Sequence, residues 1–233
     1  MATCTKFLFH VFDNFFSLWY WSHVNQSNLP LFPGDNDVLQ GREAALAALK
    51  ERVTICQKCD LHQERTKAVF GEGNVNSPDI AFVGEGPGFN EDQAGRPFVG
   101  RAGQLLDQMI EAMGYAREDV YICNVVCCRP PGNRRPQKEE ADACNPFLAG
   151  QLHIVKPKVI VALGATAIQT LANSKKQLKD LRERWLEWKD KKSGLVVPLR
   201  ATYHPAYLLR QPNKKSACWN DLQVVMQWAQ RGD

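Results

Sequence analysis

The sequence predicts an α/β fold in which a four-stranded parallel sheet carries helices on both of its faces. Four short apolar runs rich in Val and Ile recur at wide intervals, and segments with helical spacing of their apolar residues separate them. Strands that alternate with helices are typical of parallel sheets, because each crossover helix covers one face. The chain has 233 residues, of which 44% are hydrophobic and 23% are charged, as in ordinary globular domains.

Each predicted strand is an apolar run of a length that suits one buried strand. The four runs are DIAFVG (79–84), DVYICNVV (119–126), KVIVALG (158–164) and GLVVPLRATY (194–203). Helices are predicted for GREAALAALKERVTIC (41–56), Ala102–Met113, Lys138–Val155, Ala165–Ala172 and Lys175–Trp188. We therefore assign residues 41–233 to a single domain and residues 1–40 to an N-terminal extension of unassigned role.

The bulk properties restrict the classes of protein to which the chain can belong. No apolar run reaches the roughly 18 residues of a membrane span, because polar residues interrupt the aromatic segment LFHVFDNFFSLWYW. The same segment has no small-residue cleavage site and is a poor fit to a secretory signal. We expect a cytoplasmic monomer that does not bind membranes. The net charge of +4 permits a polyanionic partner but does not require one.

Eight cysteines are more than a cytoplasmic chain of this size usually carries, and they favour metal ligation over disulfides. They are Cys4, Cys56, Cys59, Cys123, Cys127, Cys128, Cys144 and Cys218. Cys56 and Cys59 form one C-x-x-C pair, and the wide spacing from Cys128 to Cys144 suits an iron–sulfur cluster somewhat better than zinc. Zinc and inert thiols stay open as alternatives, and the spacing does not say whether Cys127 or Cys128 is the ligand.

The least ordinary residues follow the predicted strands at their carboxyl ends. The segment GEGPGFNEDQAGRPFVG begins at Gly84, Asn124 closes the second strand, and His204 follows the fourth strand. Ligands bind beyond the carboxyl ends of the strands in open α/β sheets, so these segments should converge on one cleft. The pattern G-x-G-x-G with a central proline is a poor match to a dinucleotide fingerprint.

Together these residues predict a pocket for a flat, hydrogen-bonding ring such as a nucleobase. Phe98 offers an aromatic face, Asn124 offers one amide donor and one acceptor, and Pro205 fixes the backbone beside His204. Each residue also has an ordinary structural interpretation, as a core side chain, a strand-end cap and a turn residue respectively. The prediction therefore depends on their meeting in space.

The segment HPAYLLRQPNKK places apolar side chains beside cations. Leu208 and Leu209 precede Arg210, a combination that suits wedging into stacked DNA bases while holding phosphates. The alternative interpretation is the start of an amphipathic helix.

Three segments, in this order and with the cysteines interleaved, resemble the signatures of the family 4 uracil-DNA glycosylases, the iron–sulfur branch of that superfamily. They are GEGPGFNEDQAGRPFVGRAGQLLD, NVVCCRPPGNRRP and YHPAYLLR. The resemblance covers about Cys56 to Trp228. It implies a three-layer α/β/α sandwich around a four-stranded parallel sheet, a 4Fe-4S cluster, and removal of uracil from uracil-containing DNA in base-excision repair.

The resemblance also implies roles for individual residues. The cluster ligands fall on Cys56, Cys59, Cys128 and Cys144, while Cys127 stands where the family commonly has lysine. Phe98 takes the position that stacks on uracil, Asn124 the position at its edge, and His204 the catalytic position beside its O2. Glu85, Gly86 and Glu91 fall in the motif that holds the base and its sugar, and we expect one of the two glutamates to assist the water.

Two other functions are compatible with the residues alone. One is a non-catalytic iron–sulfur protein that binds nucleic acid with the same fold, and the other is a zinc-stapled nucleotide-binding module. Release of uracil from an oligonucleotide separates the enzyme from both alternatives.

Overall fold

The computed structural model describes residues 41–230, so the predicted N-terminal extension lies outside the described residues. In this part of the chain six strands form one sheet. They are β1 (Glu72–Gly73), β2 (Ile80–Gly84), β3 (Tyr121–Asn124), β4 (Val159–Leu163), β5 (Leu186–Lys189) and β6 (Val196–Thr202). The helices are α1 (Gly41–Thr54), α2 (Leu61–Glu64), α3 (Phe89–Ala94), α4 (Arg101–Ala112), α5 (Lys138–Val155), α6 (Ala165–Leu171), α7 (Leu178–Leu181), α8 (Pro205–Arg210) and α9 (Lys215–Ala229).

The strand order is β1-β3-β2-β4-β6-β5, and the four central strands run parallel. These four are the predicted strands. The prediction of a four-stranded, wholly parallel sheet needs one correction, because β1 pairs antiparallel with β3 and β5 pairs antiparallel with β6. The chain passes from β2 to β3 on one side and then to β4 on the other side. This reversal of strand order creates a crevice at the carboxyl ends of β2 and β4.

Alternate residues of the central strands face two separate cores. Ala81 and Val83 of β2 contact a core with residues of α1, α5 and α6, whereas Ile80 and Phe82 contact a core with residues of α4 and α9. The strands read as continuous apolar runs because both of their faces are buried. The three-layer α/β/α arrangement expected from the sequence is therefore present.

The predicted helix Lys138–Val155 has the bounds of α5, whereas the predicted helix Lys175–Trp188 is wrong. That segment contains only the short helix α7, and its last three residues belong to strand β5. Side chains of β5 alternate between solvent and core, with Trp188 buried and its two neighbours exposed. Pairing with β6 overrides the local helix propensity of these residues, so they form a strand.

Both edges of the sheet are short. Strand β1 has two residues, and β5 has four with exposed charges at Glu187 and Lys189. Within residues 41–230, no helix has the length and apolar character to cross a membrane.

Candidate active site

The carboxyl ends of the four parallel strands open into one pocket of about 700 Å³. Its wall includes Phe98, Asn124 and His204, the three residues expected to meet there. Glu85, Gly86, Glu91 and Arg210 also line it. The pocket brings together side chains from distant segments of the chain, which supports the predicted convergence on a single cleft.

Phe98 lines the pocket and has a strained backbone conformation. Its φ is +52°, a region that non-glycine residues rarely adopt. Arg117 holds the turn, donating from Nη1 to the Phe98 carbonyl at 3.3 Å and from Nη2 to the Pro97 carbonyl at 2.7 Å. The Phe98 ring is buried and stacks on the His204 imidazole with ring centroids 5.7 Å apart. Strain held in this way beside a pocket is typical of binding sites.

His204 has one ring nitrogen occupied by the fold and the other available to a ligand. Its Nδ1 accepts a hydrogen bond from the Ala206 backbone N–H at 3.1 Å and thereby caps helix α8. Burial, assisted by the positive charge of Arg210, lowers the pKa of His204 to about 4. The imidazole is therefore neutral near pH 7, and since Nδ1 is an acceptor, the single proton resides on Nε2. The pocket thus contains a neutral N–H donor in a fixed orientation.

Asn124 lines the pocket and has a buried amide oxygen without a hydrogen-bond partner among the described residues. The residue is 4% exposed at the end of β3, and its Oδ1 has no hydrogen-bond partner among the described residues. A buried carbonyl without a partner costs about 1–3 kcal/mol, so its presence favours a ligand that donates to it. Gly84 provides the space that Asn124 occupies: a Cβ at Gly84 would lie 2.4 Å from Oδ1 and 2.5 Å from the Phe98 ring.

Replacement of Gly84 by alanine should therefore displace two pocket side chains at once. We expect ligand turnover in the pocket to fall about 100-fold, because a displacement of about 1 Å costs about that much in positioned catalysis. The control is Val196→Ala, because Val196 is 47% exposed and does not line the pocket. Single-turnover rates measure the effect, and a Gly84→Ala protein as active as Val196→Ala would contradict it.

Glu91 is committed to the backbone of its own loop. One carboxylate oxygen accepts from the N–H groups of Val99 at 3.0 Å and Gly100 at 2.8 Å, and the other accepts from Gly88 at 3.1 Å. The Glu91 carboxylate thereby links two distant parts of the segment that connects β2 to α4. The arrangement assigns Glu91 to positioning of the pocket loop more readily than to proton transfer from a water.

Glu85 keeps more freedom than Glu91. It lines the pocket, accepts a hydrogen bond from the Thr166 hydroxyl, and lies 3.9 Å from the Arg135 guanidinium. Its side chain is 30% exposed, so solvent reaches it. Of the two predicted glutamates, Glu85 is the one whose carboxylate accepts no backbone N–H group among the hydrogen bonds of the described residues.

A second, smaller cavity collects the cysteines. Cys56, Cys59, Cys127, Cys128 and Cys144 all line it, and they come from three separate segments of the chain. Within residues 41–230, no three His, Cys, Asp or Glu side chains surround a single metal-ion position. The five thiols therefore share one cavity, but they do not surround a single metal-ion position.

Two donors face the sulfurs of this cavity. Arg65 Nη1 donates to Cys128 Sγ at 3.1 Å, and the Cys127 backbone N–H donates to Cys144 Sγ at 3.3 Å. A cation and a backbone N–H are the groups that stabilise thiolate sulfur in cluster sites. Cys127 and Cys128 are both buried against the cavity, whereas Cys123 and Cys218 lie in the apolar core away from it.

Comparison with known proteins decides the family. The model of the Uracil DNA glycosylase superfamily matches residues 70–223. A type-4 uracil-DNA glycosylase of Thermotoga maritima is 51% identical over 170 residues, which are 72% of this chain and 85% of the relative. Those of Pyrobaculum aerophilum and Sulfurisphaera tokodaii are 44% and 43% identical, over 76% and 79% of this chain and 91% and 85% of their own lengths.

This chain belongs to the type-4 uracil-DNA glycosylases. The range matched by the superfamily model contains the entire lining of the large pocket, whereas Cys56 and Cys59 precede it. The pocket therefore lies wholly within the part of the chain that the superfamily model matches, and the C-x-x-C pair lies outside it.

One of the three residues predicted to contact DNA, Leu208, is buried in the described structure. Leu208 is 1% exposed and packs in the core with Leu222 and Phe98, so it cannot reach DNA in this conformation. Leu209 is 38% exposed, and Arg210 lies on the pocket wall. Adjacent residues of a helix point about 100° apart, and α8 therefore directs only one of its two leucines outward.

Sequence reasoning missed several pocket residues of this type-4 uracil-DNA glycosylase. Tyr203 and Tyr207 stack at 5.3 Å between centroids on the wall beside His204. Arg182 lies over the Tyr203 ring at 4.4 Å and pairs with buried Asp221 at 2.8 Å. The Tyr-His-Pro-Ala-Tyr spacing signals the two rings, but no local pattern reveals that Arg182 anchors one of them.

Proposed function

We propose that the protein removes uracil from DNA by hydrolysing the N-glycosidic bond, which leaves an abasic site for base-excision repair. The observation that carries the proposal is that Asn124, whose buried Oδ1 has no hydrogen-bond partner among the described residues, lines the same pocket as Phe98 and His204. A donor at the edge of a flat ring would satisfy this oxygen. The type-4 uracil-DNA glycosylases to which the chain is similar are named for the same activity.

Selection of uracil follows from the amide of Asn124. Uracil donates from N3–H and accepts at O4, so Asn124 Oδ1 accepts the first bond and its Nδ2 group donates the second. Cytosine presents the reversed pattern and would leave buried groups on both sides unpaired. Sites that hydrogen-bond their substrate in this way reject unmatched analogues by about 10⁴–10⁵-fold. Phe98 supplies the stacking face for the extruded ring.

The bond between C1′ and N1 breaks with its electron pair on uracil, so the departing base is an anion. The His204 Nε2–H donates to the developing charge at O2, and the Gly86 backbone N–H is a second donor at the pocket wall. One such donor contributes about 3–4 kcal/mol in other enzymes. The low pKa of His204 keeps its imidazole neutral, so it stabilises the uracil anion as a neutral hydrogen-bond donor and not as a cation.

Water completes the reaction at C1′ of the sugar. Its oxygen bonds to C1′, and it gives up one proton, while the uracil anion takes a proton as it leaves the site. We assign the orientation of this water to Glu85, whose carboxylate is not engaged by backbone N–H groups, and assign Glu91 to holding the loop. Glu91 keeps this loop in place through the three backbone N–H groups that it accepts.

The cysteine cavity fits a 4Fe-4S cluster held by Cys56, Cys59, Cys128 and Cys144. These four thiols line one cavity, and the two donors to Cys128 and Cys144 described above suit thiolate ligands. When bound, such a cluster would join three segments of the chain covalently. Held by these residues, it would have a structural task, because Asn124 of the pocket lies only four positions before Cys128.

Serine at Cys128 should lower the iron content and visible absorbance of the purified protein by at least half, because a ligand sulfur is lost. Serine at Cys127 is the matched control, since it is the neighbouring buried thiol and is not assigned as a ligand. Iron and acid-labile sulfide are measured per protein chain. If Cys127→Ser loses the iron and Cys128→Ser keeps it, the assignment of the two residues is reversed.

Incubation with a single-stranded oligonucleotide that contains one uracil, followed by alkali, tests the proposed function. We expect strand cleavage at the uracil position only, and none for an otherwise identical strand with cytosine or thymine. Binding without cleavage would favour the non-catalytic nucleic-acid-binding alternative. We further propose that the protein acts on DNA as a monomer, which light scattering of the free protein measures.

A further inference from the structure

An exposed aromatic side chain lies next to the pocket. Phe89 is 56% exposed and is the first residue of α3, directly after Gly88 of the pocket wall. Few large apolar side chains of the described residues are this exposed. Phe89 belongs to neither of the two cores. An exposed aromatic ring beside a binding pocket suggests a contact with the ligand that enters it.

Arg129 is placed against this ring from the opposite loop. Its guanidinium lies 5.2 Å from the Phe89 ring centroid, within the range of a cation–π interaction. Its Nε donates to Asn133 Oδ1 at 2.7 Å, so the guanidinium is oriented from both sides. Asn133 and the neighbouring Pro130 both line the pocket. The Phe89–Arg129 pair therefore bridges two loops that form the pocket mouth.

The backbone beneath the pair is also held in place. Glu91 accepts a hydrogen bond from the Gly88 N–H at 3.1 Å, one residue before Phe89. Since the ring and the guanidinium are already oriented, a ligand that contacts them loses little conformational freedom of the protein. Arg135 of the same wall is 72% exposed and adds positive charge nearby, whereas Arg134 is paired with Glu140.

We propose that Phe89 and Arg129 form a stacking platform for the nucleotide next to the extruded uracil. The base of that nucleotide stacks on the Phe89 ring, and its phosphate contacts the Arg129 guanidinium. An aromatic face with an adjacent cation is the combination that binds single-stranded nucleic acid without sequence preference. The platform rests on the proposed function, because it takes the strand that delivers uracil to the pocket.

Alanine at Phe89 tests the platform by binding, separately from catalysis. The ligand is a single-stranded oligonucleotide with a tetrahydrofuran abasic analogue, which the enzyme cannot hydrolyse. We expect the Kd to rise about 5- to 150-fold, since loss of one stacked base costs about 1–3 kcal/mol. Tyrosine or tryptophan at Phe89 should restore binding. In uracil release, Phe89→Ala should raise KM and leave the single-turnover rate at saturating DNA unchanged.

Val196→Ala is the matched control, because Val196 is 47% exposed but begins β6, at the end of the sheet away from the pocket. We expect it to bind as the wild type does. Arg129→Gln should reduce the slope of log K against log salt by about 1, as loss of one phosphate contact does. The adenine analogue 2-aminopurine, placed on the 5′ or the 3′ side of the abasic analogue, should change fluorescence on binding to the wild type and not to Phe89→Ala.

Two results would overturn the platform: a Kd for Phe89→Ala within twofold of that for Val196→Ala, or an unchanged 2-aminopurine signal at both positions. A wild-type protein that releases no uracil would instead defeat the proposed function. In that case the binding measurements still decide the platform, because they do not depend on turnover.

Discussion

Asparagine at position 204 is expected to slow uracil release about 100- to 1,000-fold, which is the usual effect of removing one donor to a developing oxyanion. Asparagine is the informative substitution because its side-chain oxygen can still accept from the Ala206 N–H and cap α8, as His204 Nδ1 does. The variant has no group at the place of Nε2. It therefore removes the catalytic donor and keeps the local fold, which single-turnover kinetics and a thermal unfolding curve would show together.

The pH dependence of uracil release distinguishes a neutral His204 from a charged one. The pKa of His204 is lowered to about 4, so the neutral form persists from pH 8 down to about pH 5. Titration of His204 should leave the wild-type rate unaffected over that range. A loss of activity centred near pH 6.5 that is present in the wild type and absent in His204→Asn would contradict the neutral donor.

Leucine at Asn124 is expected to lower uracil release by at least about 30-fold, since two hydrogen bonds to uracil worth about 1–3 kcal/mol each are lost. The same change should raise the free energy of unfolding by about 1 kcal/mol, because it removes a buried carbonyl that has no partner among the described residues of the free protein. A fall in activity together with a gain in stability is the signature of a group kept for its ligand.

Binding to abasic DNA is the internal control for Asn124→Leu. The abasic product has no base at the Asn124 edge, so its Kd should stay within about twofold of the wild-type value. Inhibition of the reaction by free uracil should be lost at the same time. If the variant instead weakens binding of abasic DNA and of free uracil equally, Asn124 supports the shape of the pocket and does not read the base.

The parallel strands and the convergence of the pocket could be predicted from the sequence because both depend on local pattern and chain direction. The apolar runs that form β2 and β4 are visible in the sequence, and both strands are buried on both faces. Because the strands run parallel, their carboxyl ends lie at the same edge of the sheet. Asn124 and His204 are predictable for this reason. Their separation in the sequence does not matter once the direction of each strand is known.

Features that depend on long-range contacts could not be predicted in the same way. The local sequence pattern of strand β5 favours a helix, and nothing in that pattern indicates the pairing with β6 that makes it a strand. Glu91 has a residue type that is common in catalysis, but its hydrogen bonds from three backbone N–H groups form only in the folded chain. The burial of Leu208 and the exposure of Leu209 depend on how α8 is rotated against the core, which the pair of leucines alone does not determine.

The two antiparallel edge strands have a consequence for the behaviour of the protein when it is crowded. An open parallel sheet ends in unpaired backbone groups that can recruit a strand from another molecule and seed aggregates. Here one margin is only two residues long, and the other carries Glu187 and Lys189, which pair with each other at 3.0 Å and face solvent. A foreign strand would have to cover these charges to add there, so neither margin offers a template for growth.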